Sequence, residues 1–128
     1  MRIEELSIGD WVCGVHKEPR LTPPMKVVGL GKSWVNLEID PEQCDPFEFE
    51  PSEIRGIPIT PEILEKNGVV LAEDYDGYSA LYTCPQFSVI KNGDSYTFEV
   101  PQARVRVEYI HELQHAMRLA GIEKEIEV

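Results

Sequence analysis

Basic residues are scarce in this sequence. Of its 128 residues, 12 are Lys or Arg and 23 are Asp or Glu, which gives a net charge of −11 with His counted as neutral. Proteins that bind DNA or RNA usually display a stripe of Lys and Arg that displaces counterions from the phosphates. No such stripe is visible, so direct nucleic-acid binding is not expected.

Long apolar runs and paired cysteines are also missing. The longest apolar runs are fragments such as residues 68–72, far below the roughly 20 residues that a membrane-spanning helix needs. The first residues lack an apolar stretch of secretory length, so no signal peptide is expected. Cys13, Cys44 and Cys84 are widely spaced and odd in number, which indicates no disulfide framework. These absences favour a cytoplasmic protein that does not bind a membrane.

Most catalytic motifs are absent as well. Residues 29–33 end in Gly-Lys-Ser but lack the spacing of a phosphate-binding loop, so they are interpreted as a β-turn. No Gly-x-Ser-x-Gly nucleophile elbow occurs. The spacing selects no Cys–His nucleophilic pair, and buried cysteines that act as small apolar side chains are commoner. No cofactor is therefore expected.

Acidic residues are concentrated between positions 38 and 53, where no basic residue occurs. The seven are Glu38, Asp40, Glu42, Asp45, Glu48, Glu50 and Glu53. Such a surface repels a phosphate backbone. We interpret it first as a solvated face that aids solubility. The alternatives are an interaction face for a basic partner, or an acidic decoy that occupies a nucleic-acid-binding protein.

The first 59 residues predict a small SH3-like β-barrel. Val35, Leu37 and Ile39 alternate with polar residues, which is the period-two pattern of a half-buried strand. The predicted order of elements along these residues is strand, long loop, strand, tight turn, strand, loop, strand, helical turn and a last short strand at 57–59. Phe47 and the other aromatic residues of this lobe are interpreted as core or rim, or alternatively as a shallow peptide groove. A lobe of this size is marginal alone, so we expect it to pack with residues 60–128 as one unit.

Residues 60–128 predict an α+β lobe. Thr60 and Pro61 begin a short helix and Gly68 ends it, because Thr caps free N–H groups, Pro suits the first turn, and Gly adopts the left-handed conformation. The pair at 92–93, Asn-Gly, predicts a β-hairpin, and a helix over 108–120 follows. The predicted fold class is therefore α+β: an SH3-like lobe at 1–59, then an antiparallel hairpin sheet packed on one C-terminal helix.

The closing helix carries one catalytic pattern. His111-Glu112-Leu113-Gln114-His115 fits H-E-x-x-H, which in zinc peptidases places two imidazoles one helical turn apart, with the glutamate beside them as general base. The extended zinc motif needs Gly at 118 and His at 121, where this chain has Arg118 and Gly121. The pattern therefore lacks a third ligand.

The helical periodicity favours a supporting role for this helix. The apolar stripe consists of Ile110, Leu113, Met117 and Ala120. His111, Glu112 and His115 fall on the opposite, polar face, so we predict that both imidazoles face water. A zinc-dependent hydrolase, with His111 and His115 as ligands and Glu112 as base, is the alternative. Adventitious metal binding by the histidine pair is a third interpretation.

Three segments of the sequence, LSIGDWV, IPITPEILEKNG and YIHELQHA, have a familiar arrangement. Together they resemble a group of small uncharacterised proteins encoded in gut-anaerobe genomes, often in phages or integrated elements. Members of that group share the helix break at glycine and the closing aliphatic helix, but not a full H-E-x-x-H motif. The resemblance implies a cytoplasmic accessory protein tied to a mobile element and brings no established activity.

The leading functional hypothesis is therefore a non-enzymatic interaction module with an unknown protein partner. It would act through an exposed edge of the barrel or through the acidic face at 38–53.

Overall fold

The structure, a computed structural model, describes residues 1–17, 20–39, 46–75 and 78–128. The chain divides into two compact units, Met1–Ile57 and Pro58–Val128. The boundary predicted from the sequence falls after Ile59, whereas the structure divides after Ile57. The fold class is α+β, as predicted: each unit contains an antiparallel sheet, the first sheet is barrel-like, and a helix closes the second unit.

The described residues of the first unit form six strands and two short 3₁₀ turns, at Ile3–Glu5 and Pro51–Glu53. The strands are β1 (Trp11–Lys17), β2 (Arg20–Leu21), β3 (Met25–Leu30), β4 (Val35–Glu38), β5 (Phe47–Phe49) and β6 (Ile54–Gly56). They pair in the order β2-β1-β3-β4-β5, and β6 returns to pair with β1, which curls the sheet. The prediction of a last strand at 57–59 is wrong. Pro58 makes only an isolated bridge, because proline has no N–H to donate to a ladder.

Alternate strand residues form the core of the first unit. The buried cluster consists of Leu6, Val12, Met25, Val27, Val35, Leu37 and Ile54. The period-two prediction is confirmed for Val35 and Leu37 but is wrong for Ile39, which is exposed. The reason is that β4 ends at Glu38, so the alternation stops one residue before Ile39.

The turn before β1 contains a buried carboxylate and is bonded to β3 through its backbone. Asp10 is fully buried, and its Oδ2 accepts the N–H of Ser7 at 2.8 Å. The Asp10 carbonyl accepts the N–H of Val27 at 2.9 Å, and the N–H of Gly9 donates to the Val27 carbonyl at 2.7 Å. Gly9 has a φ of 93°, a conformation that side chains with a Cβ rarely adopt. The sequence of this turn therefore fixes the register in which β1 begins.

Where the second unit is described, it consists of a short helix, a five-stranded meander and a closing helix. Its elements are α1 (Pro61–Lys66), β7 (Val70–Asp74), β8 (Ser79–Thr83), β9 (Ser88–Asn92), β10 (Ser95–Val100), β11 (Ala103–Val107) and α2 (Ile110–Leu119). The strand order β11-β10-β9-β8-β7 leaves β7 and β11 at the edges. Within the described residues, no helix has both the length and the apolar character to cross a membrane.

The local signals predicted for this unit are confirmed. The Thr60 Oγ1 accepts the N–H of Ile63 at 3.2 Å and caps α1. Gly68 ends that helix with a φ of 78°, and Gly93 has a φ of 59° in the β9–β10 hairpin. Strand β7 was not predicted, because all five of its residues are exposed and show no alternation.

Two buried tyrosines lie on β8 and β10, the strands on either side of β9, among acidic residues. Tyr82 and Tyr96 are both buried. Burial is the main cause that raises the pKa of Tyr82 above 10.0, and the negative charge of Glu65 adds to it. Burial also raises the pKa of Tyr96 above 10.0, with further contributions from Tyr82 and Glu62. Both phenols are therefore held in the neutral form by the fold.

Replacing Asp10 by Ala is expected to lower the free energy of unfolding by about 1–3 kcal/mol, because the N–H of Ser7 loses its buried acceptor. Asp10→Asn keeps an acceptor oxygen and should cost less. Urea unfolding followed by tryptophan fluorescence measures both. An unchanged midpoint for Asp10→Ala would contradict the role given to this carboxylate.

Stability should also fall at alkaline pH. Because the folded-state pKa values of Tyr82 and Tyr96 are raised above 10.0, their contribution is complete below pH 10.0 and is lost as the pH rises through the folded values. The double variant Tyr82→Phe, Tyr96→Phe should show a smaller loss of urea-unfolding free energy between about pH 9 and 11. Equal losses in parent and variant would refute this assignment.

Candidate functional site

The H-E-x-x-H motif lies within α2, which confirms the prediction that it is helical. Ile110, Leu113 and Met117 of the predicted apolar stripe are buried, which confirms their packing role. Ala120 is exposed, because α2 ends at Leu119 and the stripe ends with it.

The prediction that both imidazoles face water is wrong for His111, which is 3% exposed. His111 lies in the first turn of α2, where its ring stacks on Tyr109 with the centroids 5.7 Å apart and the planes at 12°. His115 is half-buried and meets His111 edge-on, with the ring centroids 5.8 Å apart. The motif therefore brings the two imidazoles together, but one of them is shielded from solvent.

Glu112 stabilises the start of α2. Its Oε1 accepts the N–H of Glu108 at 2.9 Å and the N–H of Tyr109 at 3.0 Å. The N–H groups at the beginning of a helix have no partner within the helix, and a glutamate at the third position commonly reaches back to satisfy them. The carboxylate that a zinc hydrolase would use as general base is thus engaged by backbone.

A zinc site on this helix would need a further ligand, since a catalytic zinc takes three from the protein. Across residues 1–17, 20–39, 46–75 and 78–128, no three His, Cys, Asp or Glu side chains are grouped so that they could hold a metal ion. His111 and His115 are therefore two ligands without a third in this part of the chain.

A groove of about 660 Å³ opens beside His115, between α2 and strands β10 and β11. Buried Phe98 and Val107 are among its lining residues. Two more lining residues lie open to solvent, Val105 on β11 at 46% exposure and Leu119 on α2 at 90%. We call this the α2–β11 groove. It is apolar and open along an edge strand, so it fits a polypeptide better than a small polar substrate.

A second apolar groove, of about 300 Å³, lies in the first unit. Leu21, Ile39 and Phe47 line it, and each is about half exposed. Phe49 also lines it, and its ring lies over Gly14, where an added Cβ would be 2.6 Å from the ring. Glycine therefore provides the space that Phe49 occupies. We call this the β5 groove, because Phe47 and Phe49 belong to β5.

The structure describes four residues of the predicted acidic interaction face and separates them from the β5 groove. Glu48 and Glu50 are exposed and Glu38 is half-buried, whereas Asp40, Glu42 and Asp45 lie outside the described residues. The Glu53 Oε1 accepts the N–H of Glu50 at 2.8 Å and so stabilises a 3₁₀ turn. Because successive strand residues point to opposite faces, Glu48 lies on the sheet face opposite to Phe47 and Phe49.

Comparison with known proteins gives no family for this chain: no family model, no curated protein and no solved structure matches it. The functional argument therefore rests on the two grooves and on the groups that border them.

Removing the Glu112 carboxylate is expected to cost stability. Glu112→Ala leaves two N–H groups without their acceptor and should lower the free energy of unfolding by about 0.5–2 kcal/mol. Glu112→Gln keeps an acceptor oxygen and should retain most of that stability. Glu123→Ala, at an exposed glutamate beyond the helix, is the matched control. If Glu112→Ala unfolds at the same urea concentration as this control, the carboxylate does not hold the helix start.

Proposed function

We propose that the protein is a non-enzymatic cytoplasmic interaction module whose first unit is an SH3-like barrel. The strand order supports this assignment, since a 3₁₀ turn at Pro51–Glu53 precedes the last strand, β6, which pairs with β1. The free thiols of Cys13 and Cys84 support a reducing compartment. The three segments that resemble proteins of phages and integrated elements support a link to a mobile element.

The observation that carries the proposal is the β5 groove. Three large apolar side chains, Leu21, Ile39 and Phe47, converge on it and remain about half exposed. Single exposed apolar residues are common, but several around one concave site mark a binding surface. Strand β5 also ends its sheet in the described part of the chain, so its outer backbone groups can pair with an added strand.

The charges beside the groove indicate the chemistry of the partner: Arg20 lines the groove itself, whereas Glu48 lies on the opposite face of β5. In an added strand, alternate side chains would enter the β5 groove and the others would lie on the face that carries Glu48. Apolar side chains suit the positions that enter the groove, and basic side chains suit the positions beside Glu48. The partner segment is therefore an extended strand in which basic and apolar residues alternate.

The probe for this site is an eight-residue peptide of alternating Lys and Val, capped at both ends and labelled for fluorescence anisotropy. A Glu–Val peptide of the same length is the control for charge. We expect the parent protein to bind the Lys–Val peptide more tightly, with an affinity that falls as salt is added.

Substitution of Phe47 separates groove binding from general electrostatic attraction. Phe47→Asp should weaken binding of the Lys–Val peptide about tenfold, because it replaces a central apolar contact of the groove. Leu71→Asp is the matched control, since Leu71 is exposed to the same degree, 45% against 46%, but lies on β7. Equal binding by both variants, or equal binding of both peptides by the parent, would refute the proposal.

A further inference from the structure

The edge strand β11 has the alternation that the β5 groove requires. Its sequence is Ala-Arg-Val-Arg-Val, so Arg104 and Arg106 share one face and Val105 lies on the other. All three residues are exposed. On the apolar face, Val105 opens into the α2–β11 groove. β11 is thus a basic and apolar strand on the surface of an acidic protein.

Strand β5 has the complementary alternation. Phe47 and Phe49 lie on one face and Glu48 on the other, and Phe47 is exposed. In the described part of the chain, β5 and β11 each have one neighbour within their own sheet. Each therefore offers a row of backbone groups to a strand from elsewhere.

We propose that β5 of one copy of this chain pairs with β11 of a second copy. The inference rests on the proposed function, and it names β11 as the basic and apolar strand that the β5 groove accepts. Pairing places Phe47 beside Val105 on one face of the joined sheet and Glu48 beside Arg104 and Arg106 on the other. Opposite charges and paired apolar side chains both stabilise neighbouring strands.

The α2–β11 groove gives space for the incoming phenylalanine. Its 660 Å³ lies on the same side of β11 as Val105, and exposed Leu119 borders it from α2. On pairing, Phe47 enters this groove. The β5 groove and the α2–β11 groove then lie along one face of a continuous sheet.

The arginines already have contacts within their own sheet, and these leave donors for Glu48. The Arg104 Nε lies 2.9 Å from the Glu99 Oε2, and its side chain is 72% exposed. Arg106 donates to the Ser95 Oγ at 3.0 Å on the exposed surface. The exposed Arg106 contact contributes little. Glu99 is only 32% exposed, so Arg104 keeps that contact and meets Glu48 with its remaining guanidinium N–H groups. Glu99 and Arg104 are cross-strand partners on β10 and β11. In the proposed contact, Glu48 of the other copy approaches Arg104 from the opposite edge of β11.

The contact joins two different surfaces, so an open chain of copies retains one unpaired β5 at one end and one unpaired β11 at the other. Such heterologous contacts form closed rings or open filaments. Self-association should therefore rise continuously with concentration, or stop at a ring of fixed size, and it should weaken with added salt.

Sedimentation velocity over a concentration series tests the pairing with two charge-reversed variants. One carries Arg104→Glu and Arg106→Glu, and the other carries Glu48→Arg and Glu50→Arg. Each alone should associate about tenfold or more weakly than the parent, because like charges then face each other. An equimolar mixture should recover the association of the parent, since both reversed edges find an opposite charge.

Matched controls apply the same changes in net charge at exposed positions that belong to neither β5 nor β11. They are Arg2→Glu with Lys32→Glu, and Glu4→Arg with Glu5→Arg, and they should associate as the parent does. Recovery in the mixture also shows that the reversed variants are folded.

A parent protein that stays monomeric throughout the series overturns the pairing, and so does a mixture that fails to recover. Either result leaves the proposed function standing if the Lys–Val peptide still binds the β5 groove. Conversely, charge-dependent self-association that Phe47→Asp does not weaken would show that the arginines act without the groove, and this too overturns the pairing.

Discussion

The arrangement of the second unit depends on two hydrogen bonds to one oxygen, the Oε1 of Glu112. They join the carboxylate to the N–H groups of Glu108 and Tyr109 and so set the residue at which α2 begins. With that start, Ile110 and Leu113 are directed into the interior, and Leu119 is left on the surface beside β11. The α2–β11 groove lies between this helix and β11, with Leu119 at its border.

The edges of the two sheets share one principle. A strand with a two-residue alternation, placed at an edge, presents an apolar row on one face and a charged row on the other. In β5 the charged residue is Glu48, and in β11 the charged residues are Arg104 and Arg106. Charge on an edge usually discourages uncontrolled strand pairing. Opposite charges on two edges of one chain instead select a single pairing, which links the fold to the proposed interaction.

The sequence predicts correctly those helix ends and turns that are determined by a few neighbouring residues. Thr60, Gly68 and Gly93 act through hydrogen bonds and dihedral angles within a few residues, so their effects could be read directly. Val35 and Leu37 could be assigned to the core because β4 is buried on one face. β7 could not be found, because a strand that is exposed throughout has no alternation to detect.

The candidate sites were harder to predict because they depend on contacts between distant segments. Periodicity placed His111 on the polar face of α2, but it carries no information about the packing that buries this residue. The β5 groove joins residues from both sides of the first sheet, such as Leu21 and Phe47. The sequence does contain one signal for the β11 edge, the alternation of basic and apolar residues at Arg104, Val105 and Arg106.

We infer that the H-E-x-x-H helix has a structural role, because Glu112 holds the helix start and His111 packs on Tyr109. Zinc titration of metal-free protein purified without a histidine tag tests this most directly, with calorimetry and thermal unfolding on the same samples. We expect at most weak zinc binding by the two imidazoles and no rise in the unfolding temperature. One tightly bound zinc per chain that raises the unfolding temperature, and that is lost in His115→Ala, would contradict it.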